Sequence, residues 1–239
     1  MTAFDPIISE VSSILGEQAG LSADTLVRNV LVAGATKDYS GGAAGRTALD
    51  APMHNITYAD FVKSVAILEA ANALPVEGDN YVCIMHPHTY STIMMDPTWV
   101  NLFVQEPSGG AMRSGYVGSI LRCNLYVSSN AAEYVDGGVG STTDVYSLLF
   151  IARESYGTVG MAGSFPNLMV DGQGTKALNG MTGMNVKPVT MIIKQLGSAG
   201  ADDPLNQRAT IGWKMSLQTA ILNSAWLLDL EHVNIFSDD

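Results

Sequence analysis

The segment from Ile211 to Ile221 constrains the fold of this chain more than any other part of the sequence. Odd positions carry mainly apolar side chains and even positions small or polar ones: Ile211, Trp213, Met215, Leu217, Thr219 and Ile221 alternate with Gly212, Lys214, Ser216, Gln218 and Ala220. A period of two predicts a β-strand with one buried face. Since strands usually span about 5–6 residues, this one is long for a compact domain. We therefore expect it to pack against a long helix or a neighbouring chain.

The first part of the chain is predicted to be helical. Asp5 and Pro6 are typical of an N-cap followed by the first helical position. Apolar residues then repeat at helical spacing, as Ile7, Ile8, Val11, Ile14 and Leu15. Gly20 is predicted to interrupt the helix, and a second helical stretch is expected to begin at Ser22 and end at Gly34.

The middle of the chain is predicted to alternate between strands and helices. Thr57, with Asp60 three residues later, is typical of a capping box at the start of an amphipathic helix. The other elements expected are a glycine-rich turn at 39–46, a short buried strand at 81–85, a helix at 88–95 led by Pro87, a hairpin turning at Cys123 and Asn124, and a fully buried strand at 145–151. This alternation predicts an α+β or α/β layer.

The composition indicates a surface that lies largely against other protein. Charged residues form 15% of the chain, against about 25% in an ordinary soluble domain, and 47% of the residues are hydrophobic. The net charge is −11 with no basic segment, which excludes binding to nucleic acid by neutralisation of phosphates. Apolar runs such as 148–152 are too short for a membrane helix, so no membrane association is expected.

Few residues suggest chemistry. Cys83 and Cys123 each lie in an apolar, strand-like run, which favours two reduced core thiols over a disulfide or a metal cluster. Asp202 and Asp203 are adjacent and precede Pro204, a pattern that favours a turn, a helix cap or an inter-subunit contact over acid–base catalysis. We predict no catalytic residues, no cofactor and no enzymatic activity.

His86 and His88 form the only histidine pair that could begin a metal site. Alternate residues of an extended segment point to opposite faces, which is poor geometry for one metal ion. The favoured interpretation is a histidine at a strand end that caps the following helix. A metal-dependent enzyme using His86 and His88 is kept as the alternative from a different functional class.

Several segments fall in the order expected for one protein family. The most specific is DPLNQRATIGWK at 203–214, followed by ILN at 221–223 and EH at 231–232. Upstream segments are DTLVRN at 24–29, YSGG at 39–42, ITYAD at 56–60, YVCIMHP at 81–87, DPTW at 96–99 and GYVG at 115–118. Together they resemble the coliphage N-four-type family of major capsid proteins, which share the Hong Kong-97-type phage capsid fold.

The resemblance implies an α+β fold with a spine helix, a long strand in the peripheral (P) domain and a mixed α/β axial (A) domain. Residues 1–55 would form the first part of the P domain, 56–189 the A domain, and 190–239 the return to the P domain with the long strand. It also implies that the chain begins at the spine helix and lacks the N-arm and the E-loop of the family.

The function implied by the resemblance is that of a major capsid subunit of a tailed double-stranded DNA bacteriophage. Copies of the chain would self-assemble as pentamers and hexamers of an icosahedral shell, with portal, scaffolding or decoration proteins as further partners. The shell would enclose genomic DNA without sequence-specific binding. The expected localisation is the virion, after synthesis in the host cytoplasm. The alternative within this architecture is an encapsulin-like nanocompartment shell protein that encloses protein cargo.

Overall fold

The computed structural model describes residues 4–98, 116–160, 189–194, 210–215 and 217–236. The chain divides into two compact units, one formed by 1–26 with 158–219 and the other by 27–157 with 220–239. These divisions differ from the sequence-based boundaries after residues 55 and 189. Assignment of the segments to a peripheral and an axial domain stays a prediction.

Three helices and eleven strands are described. In chain order they are α1 (Phe4–Gly34), β1 (Thr36–Tyr39), α2 (Tyr58–Ala70), β2 (Tyr81–Met85), α3 (Pro87–Met95), β3 (Tyr116–Ile120), β4 (Cys123–Val127), β5 (Glu133–Tyr134), β6 (Val145–Ile151), β7 (Tyr156–Gly160), β8 (Val189–Lys194), β9 (Thr210–Met215), β10 (Leu217–Ile221) and β11 (Leu227–His232). Short 3-10 turns follow β1 at Ser40–Gly42 and at Arg46–Ala48, where the glycine-rich turn was predicted.

Helix α1 is continuous over 31 residues, so the predicted interruption at Gly20 is wrong. A glycine inside a helix costs only about 1 kcal/mol relative to alanine, which is too little to end a helix supported on both sides. The described helix begins at Phe4, one residue before the predicted N-cap Asp5, and it ends at Gly34 as predicted. Neither this helix nor any other in the described part of the chain is long and apolar enough to cross a membrane.

The larger unit is built on a seven-stranded mixed sheet. The strand order is β1-β11-β6-β2-β4-β3, with β5 also paired to β6. Strands β1 and β11 are parallel, as are β2 and β4, while β6 is antiparallel to both of its long neighbours. The last strand of the chain therefore lies between the first strand and one from the middle. The predicted strands at 81–85 and 145–151 are confirmed with these bounds.

One face of this sheet packs against α2 and α3. Helix α2 contributes Phe61 and Leu68, and α3 contributes Ile93, all of which are buried. Their partners include Leu148 and Phe150 of β6, and the ring centroids of Phe61 and Phe150 lie 5.1 Å apart. Because side chains alternate across a strand, the intervening residues of β6 belong to the opposite face.

The opposite face packs against the C-terminal end of α1. Leu31 and Val32 of this helix are buried with Leu149 and Ile151 of β6 and with Leu227 of β11. The sheet thus has apolar layers on both sides, which explains why all seven residues of β6 are buried. This end of α1 covers only part of the face, and charged residues occupy the part beyond it.

The hairpin formed by β3 and β4 turns at a different place from the one predicted. Leu121 and Arg122 form the turn, with positive φ values of 48° and 63°, while Cys123 begins β4. Two left-handed residues match the twist of the flanking strands. The prediction at Cys123 and Asn124 is wrong because the pairing of β4 with β2 draws both residues into the sheet. Leu121 is left 37% exposed at the tip.

The alternating segment forms two described strands, β9 and β10, on either side of residue 216. Strand β9 pairs antiparallel with β8. Strand β10 pairs with β7, and the boundary between the two units falls within both of these strands. Lys214 and Gln218 are exposed and the odd-numbered side chains are half-buried, as the alternation predicts, but no residue of β9 or β10 is buried, so the predicted buried face is not confirmed. Trp213 is among the half-buried residues, so it is not the buried anchor that its size suggests.

Candidate functional site

Four charged side chains form a cluster on the sheet face beyond the end of α1. Lys37 of β1 is paired in register with Asp229 of β11, which brings the two side chains to the same side of the sheet. Lys37 Nζ contacts Asp229 and lies 2.9 Å from Glu231 Oε1. Arg46 donates two hydrogen bonds to Glu231, of 2.7 and 2.6 Å. The side chains of Asp229 and Glu231 are 0% exposed. We call Lys37, Arg46, Asp229 and Glu231 the charge cluster.

The charge cluster balances two buried carboxylates against two cations. Burial alone would raise the pKa of Glu231, but hydrogen bonds and charge from Arg46 and Lys37 outweigh it and lower this pKa. Burial raises the pKa of Asp229 against the opposing effect of Lys37. Burial lowers the pKa of Lys37, but charge and hydrogen bonds from Asp229 and Glu231 together outweigh it, so this pKa is raised overall. The two pairs are stable together because a buried charge without a partner is strongly unfavourable.

Tyr134 of β5 packs over the cationic side of the charge cluster. The central carbon of the Arg46 guanidinium lies 3.5 Å from the centre of the tyrosine ring, and Lys37 Nζ lies 6.0 Å from it. A cation above an aromatic face is attracted by the electron-rich ring. Tyr134 therefore holds Arg46 in the orientation that its two bonds to Glu231 require.

A pocket of about 480 Å³ opens beside the charge cluster. Its walls come from the last turns of α1, from β1 and the turn that follows it, and from β5, and are formed by Arg28, Asn29, Val32, Ala33, Lys37, Arg46, Ala132, Glu133 and Tyr134. Arg28 Nη1 donates to the backbone oxygen of Asn130 at 2.7 Å and to its Oδ1 at 2.9 Å. The pocket combines a basic lining with a small apolar wall.

The charge cluster was not predicted from the sequence. One signal was available, because Asp229 and Glu231 occupy alternate positions in the otherwise apolar start of β11 and so share one face. Their partners could not be identified from sequence, since Arg46 and Lys37 lie 185 and 192 residues away along the chain. Only the parallel pairing of β1 with β11 brings these residues together.

His86 and His88 lie together and not on opposite faces, so that part of the prediction is wrong. Pro87 begins α3, and the helical turn brings the two rings to a centroid separation of 4.6 Å. His86 Nδ1 accepts a hydrogen bond from the backbone N–H of His88, which confirms the predicted helix cap. His88 Nδ1 lies 2.8 Å from the Tyr146 hydroxyl. Among the described residues no group of three histidine, cysteine or acidic side chains could hold a metal ion.

The two cysteines are buried and unpaired, as predicted. Burial raises the pKa of Cys83 and raises that of Cys123 to about 12. Both thiols are therefore protonated at neutral pH, a state in which cysteine is a poor nucleophile and a poor metal ligand. Asp202 and Asp203 lie outside the described residues.

A family model described as "Phage capsid protein" matches residues 1–226, and no curated protein matches the chain. The capsid of the cyanophage P-SCSP1u is similar in structure, with a TM-score of 0.59 and 14% identity over 95% of this chain and 66% of that one.

Two further solved structures show the same architecture. For the capsid of Ralstonia phage GP4 the TM-score is 0.51 at 15% identity, over 82% of this chain and 52% of that one. For Mycobacterium phage Che8 it is 0.53 at 11% identity, over 92% and 61%. The chain thus spans between half and two thirds of the length of these neighbours. The predicted fold class, α+β with the Hong Kong-97-type capsid architecture, is confirmed.

Proposed function

This chain belongs to the phage capsid protein family, and from that premise we propose that it is a major capsid subunit of a tailed double-stranded DNA bacteriophage. The observation that carries the proposal is the family match over residues 1–226 of a 239-residue chain. Membership of this family makes the chain a structural protein and not an enzyme. The proposed location is the virion, with synthesis in the host cytoplasm.

The surface of α1 supports the proposed assembly of copies into a shell. Several large apolar side chains along this helix are exposed in the single chain: Val11 (36%), Ile14 (59%), Leu21 (59%), Leu26 (53%) and Val30 (37%). Several exposed large apolar residues on one helix favour a surface that another protein covers. In an icosahedral shell of pentamers and hexamers, neighbouring copies of the chain would supply that cover.

The subfamily, the enclosed DNA and the further protein partners are part of the same proposal. The segments at 203–214 and 24–29 support membership of the coliphage N-four-type subfamily. A net charge of −11 suits a shell that encloses DNA without binding it, because like charges repel. Portal, scaffolding and decoration proteins are the other proposed partners, since a tailed phage shell has a tail vertex and assembles in stages.

The domain assignment is also proposed, with 1–55 and 190–239 in the peripheral domain and 56–189 in the axial domain. Pairing of β1 with β11 supports contact between the first and last segments. The pairing of β11 with β6 shows that the end of the chain also lies beside the middle segment. Any boundary between the two domains must therefore cut across this sheet.

Expression of the chain followed by sedimentation and electron microscopy tests the proposed function. We expect closed shells of uniform diameter, and in phage-producing cells we expect the same chain in particles that protect double-stranded DNA from nuclease. A variant with Phe61→Asp, at a residue that is 0% exposed, is the control that should not assemble. Particles that hold protein cargo and no DNA would indicate a nanocompartment instead. A chain that remains monomeric at all concentrations would contradict both shell functions.

A further inference from the structure

The pocket beside the charge cluster has one more positive charge than the carboxylates around it neutralise. Arg28, Lys37 and Arg46 supply three cations. Asp229 and Glu231 supply two carboxylates, and both are bound to Lys37 and Arg46. The remaining cation is the guanidinium of Arg28.

Glu133 lines the pocket but directs its carboxylate away from it. In the β5–β6 pair Glu133 lies directly opposite Tyr146, so the two side chains share one face of the sheet. Tyr134, the next residue, lies on the other face, beside Lys37 and Arg46. Because consecutive side chains of a strand point to opposite faces, the carboxylate of Glu133 faces Tyr146 and not the pocket.

Arg28 is held in place by uncharged oxygens. Nη1 donates to the backbone oxygen and Oδ1 of Asn130, while Nε and Nη2 donate to Asn29 Oδ1 at 3.2 and 2.9 Å. None of the ion pairs found in the described part of the chain includes Arg28. Its guanidinium is therefore fixed in orientation at a half-buried position without a neutralising carboxylate.

We propose that this pocket binds an aspartate or glutamate side chain of a second copy of the chain, with its carboxylate paired to Arg28. Four of the five guanidinium N–H groups bond to Asn29 and Asn130, so the second N–H of Nη2 remains to donate a charge-assisted hydrogen bond to a carboxylate oxygen. Val32 and Ala132 provide an apolar wall for the methylene groups of the entering side chain. The inference rests on the proposed shell function, which places copies of the chain side by side.

Charge complementarity favours a second copy as the source of the carboxylate. The chain carries 23 acidic residues against 12 lysines and arginines, so its outer surface offers many carboxylates to a neighbour. The same excess of acid disfavours nucleic acid as the occupant, because a polyanion would be repelled from the surrounding surface. The volume of about 480 Å³ accommodates one or two side chains and not a folded element.

Charge reversal at Arg28 tests the inference. We expect Arg28→Glu to raise the subunit concentration needed for assembly at least tenfold, and Arg28→Lys to raise it less. Arg153→Glu is the matched control, because Arg153 is 63% exposed and lies outside the pocket; it should assemble as the wild type does. Thermal melting of each unassembled variant shows whether the fold is kept. Equal assembly of Arg28→Glu and Arg153→Glu would overturn the inference.

A cryo-electron microscopy map of wild-type particles provides a second measurement that does not depend on the stability of any variant. We expect a carboxylate oxygen of a neighbouring copy within about 4 Å of an Arg28 guanidinium nitrogen. Arg28 facing solvent, a free anion or nucleic acid in that map would overturn the inference while leaving the shell function intact. If the wild-type chain forms no particles, the shell function fails and the inference fails with it.

Discussion

Replacement of Arg46 by methionine should destabilise the larger unit through the charge cluster. The substitution keeps the length of the aliphatic stem and removes the guanidinium. Glu231, which is 0% exposed, would lose two hydrogen bonds and keep only Lys37 at 2.9 Å. A buried carboxylate with half of its partners is the physical cause of the expected loss of stability.

The size of the expected loss of stability follows from the burial of Arg46 and Glu231. Breaking a fully buried ion pair costs about 3–5 kcal/mol, and a hydrogen bond to a charged group contributes about 1.5–3 kcal/mol. Arg46 is 33% exposed, and Lys37 continues to neutralise part of the charge, so we expect the lower end. The predicted loss in the free energy of unfolding is about 2–3 kcal/mol. This estimate includes about 0.5–1 kcal/mol for the contact with Tyr134.

Trp226 provides a fluorescence signal for this unit alone. Its Nε1 donates a hydrogen bond to the backbone oxygen of Ala71 at 3.0 Å, and its ring packs against the buried core. Trp99→Phe and Trp213→Phe would remove the other two tryptophans of the chain. Urea unfolding in this background should shift its midpoint with an unchanged slope, as a change in stability alone requires. A reporter within one unit matters because two units need not unfold together.

Arg122→Met is the matched control, because Arg122 pairs with Glu69 at 2.8 Å while the two side chains are 52% and 43% exposed. Exposed pairs contribute about 0–1 kcal/mol, so this variant should lose less than 1 kcal/mol. If Arg46→Met and Arg122→Met shift the midpoint equally, burial does not strengthen the charge cluster and the reasoning is refuted.

Three further predictions concern the same unit, and each is checked by chemical or thermal unfolding. Phe61→Ala should cost about 3–5 kcal/mol because its side chain is 0% exposed, whereas Val62→Ala, at 38% exposure, should cost less than about 0.5 kcal/mol; equal losses would contradict the assigned face of α2. Gly138→Ala should destabilise by about 1–3 kcal/mol, since its Cβ would lie 2.7 Å from the backbone oxygen of Leu49, and an unchanged midpoint would show that this close approach is absent. Burial lowers the pKa of His232 from 6.5 to about 4. As the pH drops from 6.5 to 4, the unfolded chain protonates His232 before the folded chain does, so the free energy of unfolding should fall by up to about 1.4 kcal/mol per pH unit. The stability of His232→Asn should depend less steeply on pH than that of the wild type.

Local patterns determined several elements of this fold correctly. The capping box of Thr57 and Asp60 forms as predicted, with the threonine hydroxyl accepting from the backbone N–H of Asp60. The helix that follows Pro87 has its histidine cap. These signals could be read from the sequence because each interaction joins residues within one turn of a helix.

Other features were decided by pairing between distant strands. The turn of the β3–β4 hairpin lies at Leu121 and Arg122 because the register of β4 against β2 places Cys123 inside the sheet. Likewise, the continuity of α1 through Gly20 could not be inferred from the glycine alone, since its cost is small beside the support of the flanking turns.

The charge cluster shows most clearly the difference between what local sequence determines and what the pairing of distant strands determines. Alternate positions in the apolar start of β11 put Asp229 and Glu231 on one face, a position that requires cationic partners, although the strand itself was not predicted from the sequence. Tertiary structure selected Lys37 and Arg46 from the 12 lysines and arginines of the chain by laying β1 parallel to β11. The physical reason is that the energy of a buried charge depends on distances of a few ångströms in space, which separation along the sequence does not determine.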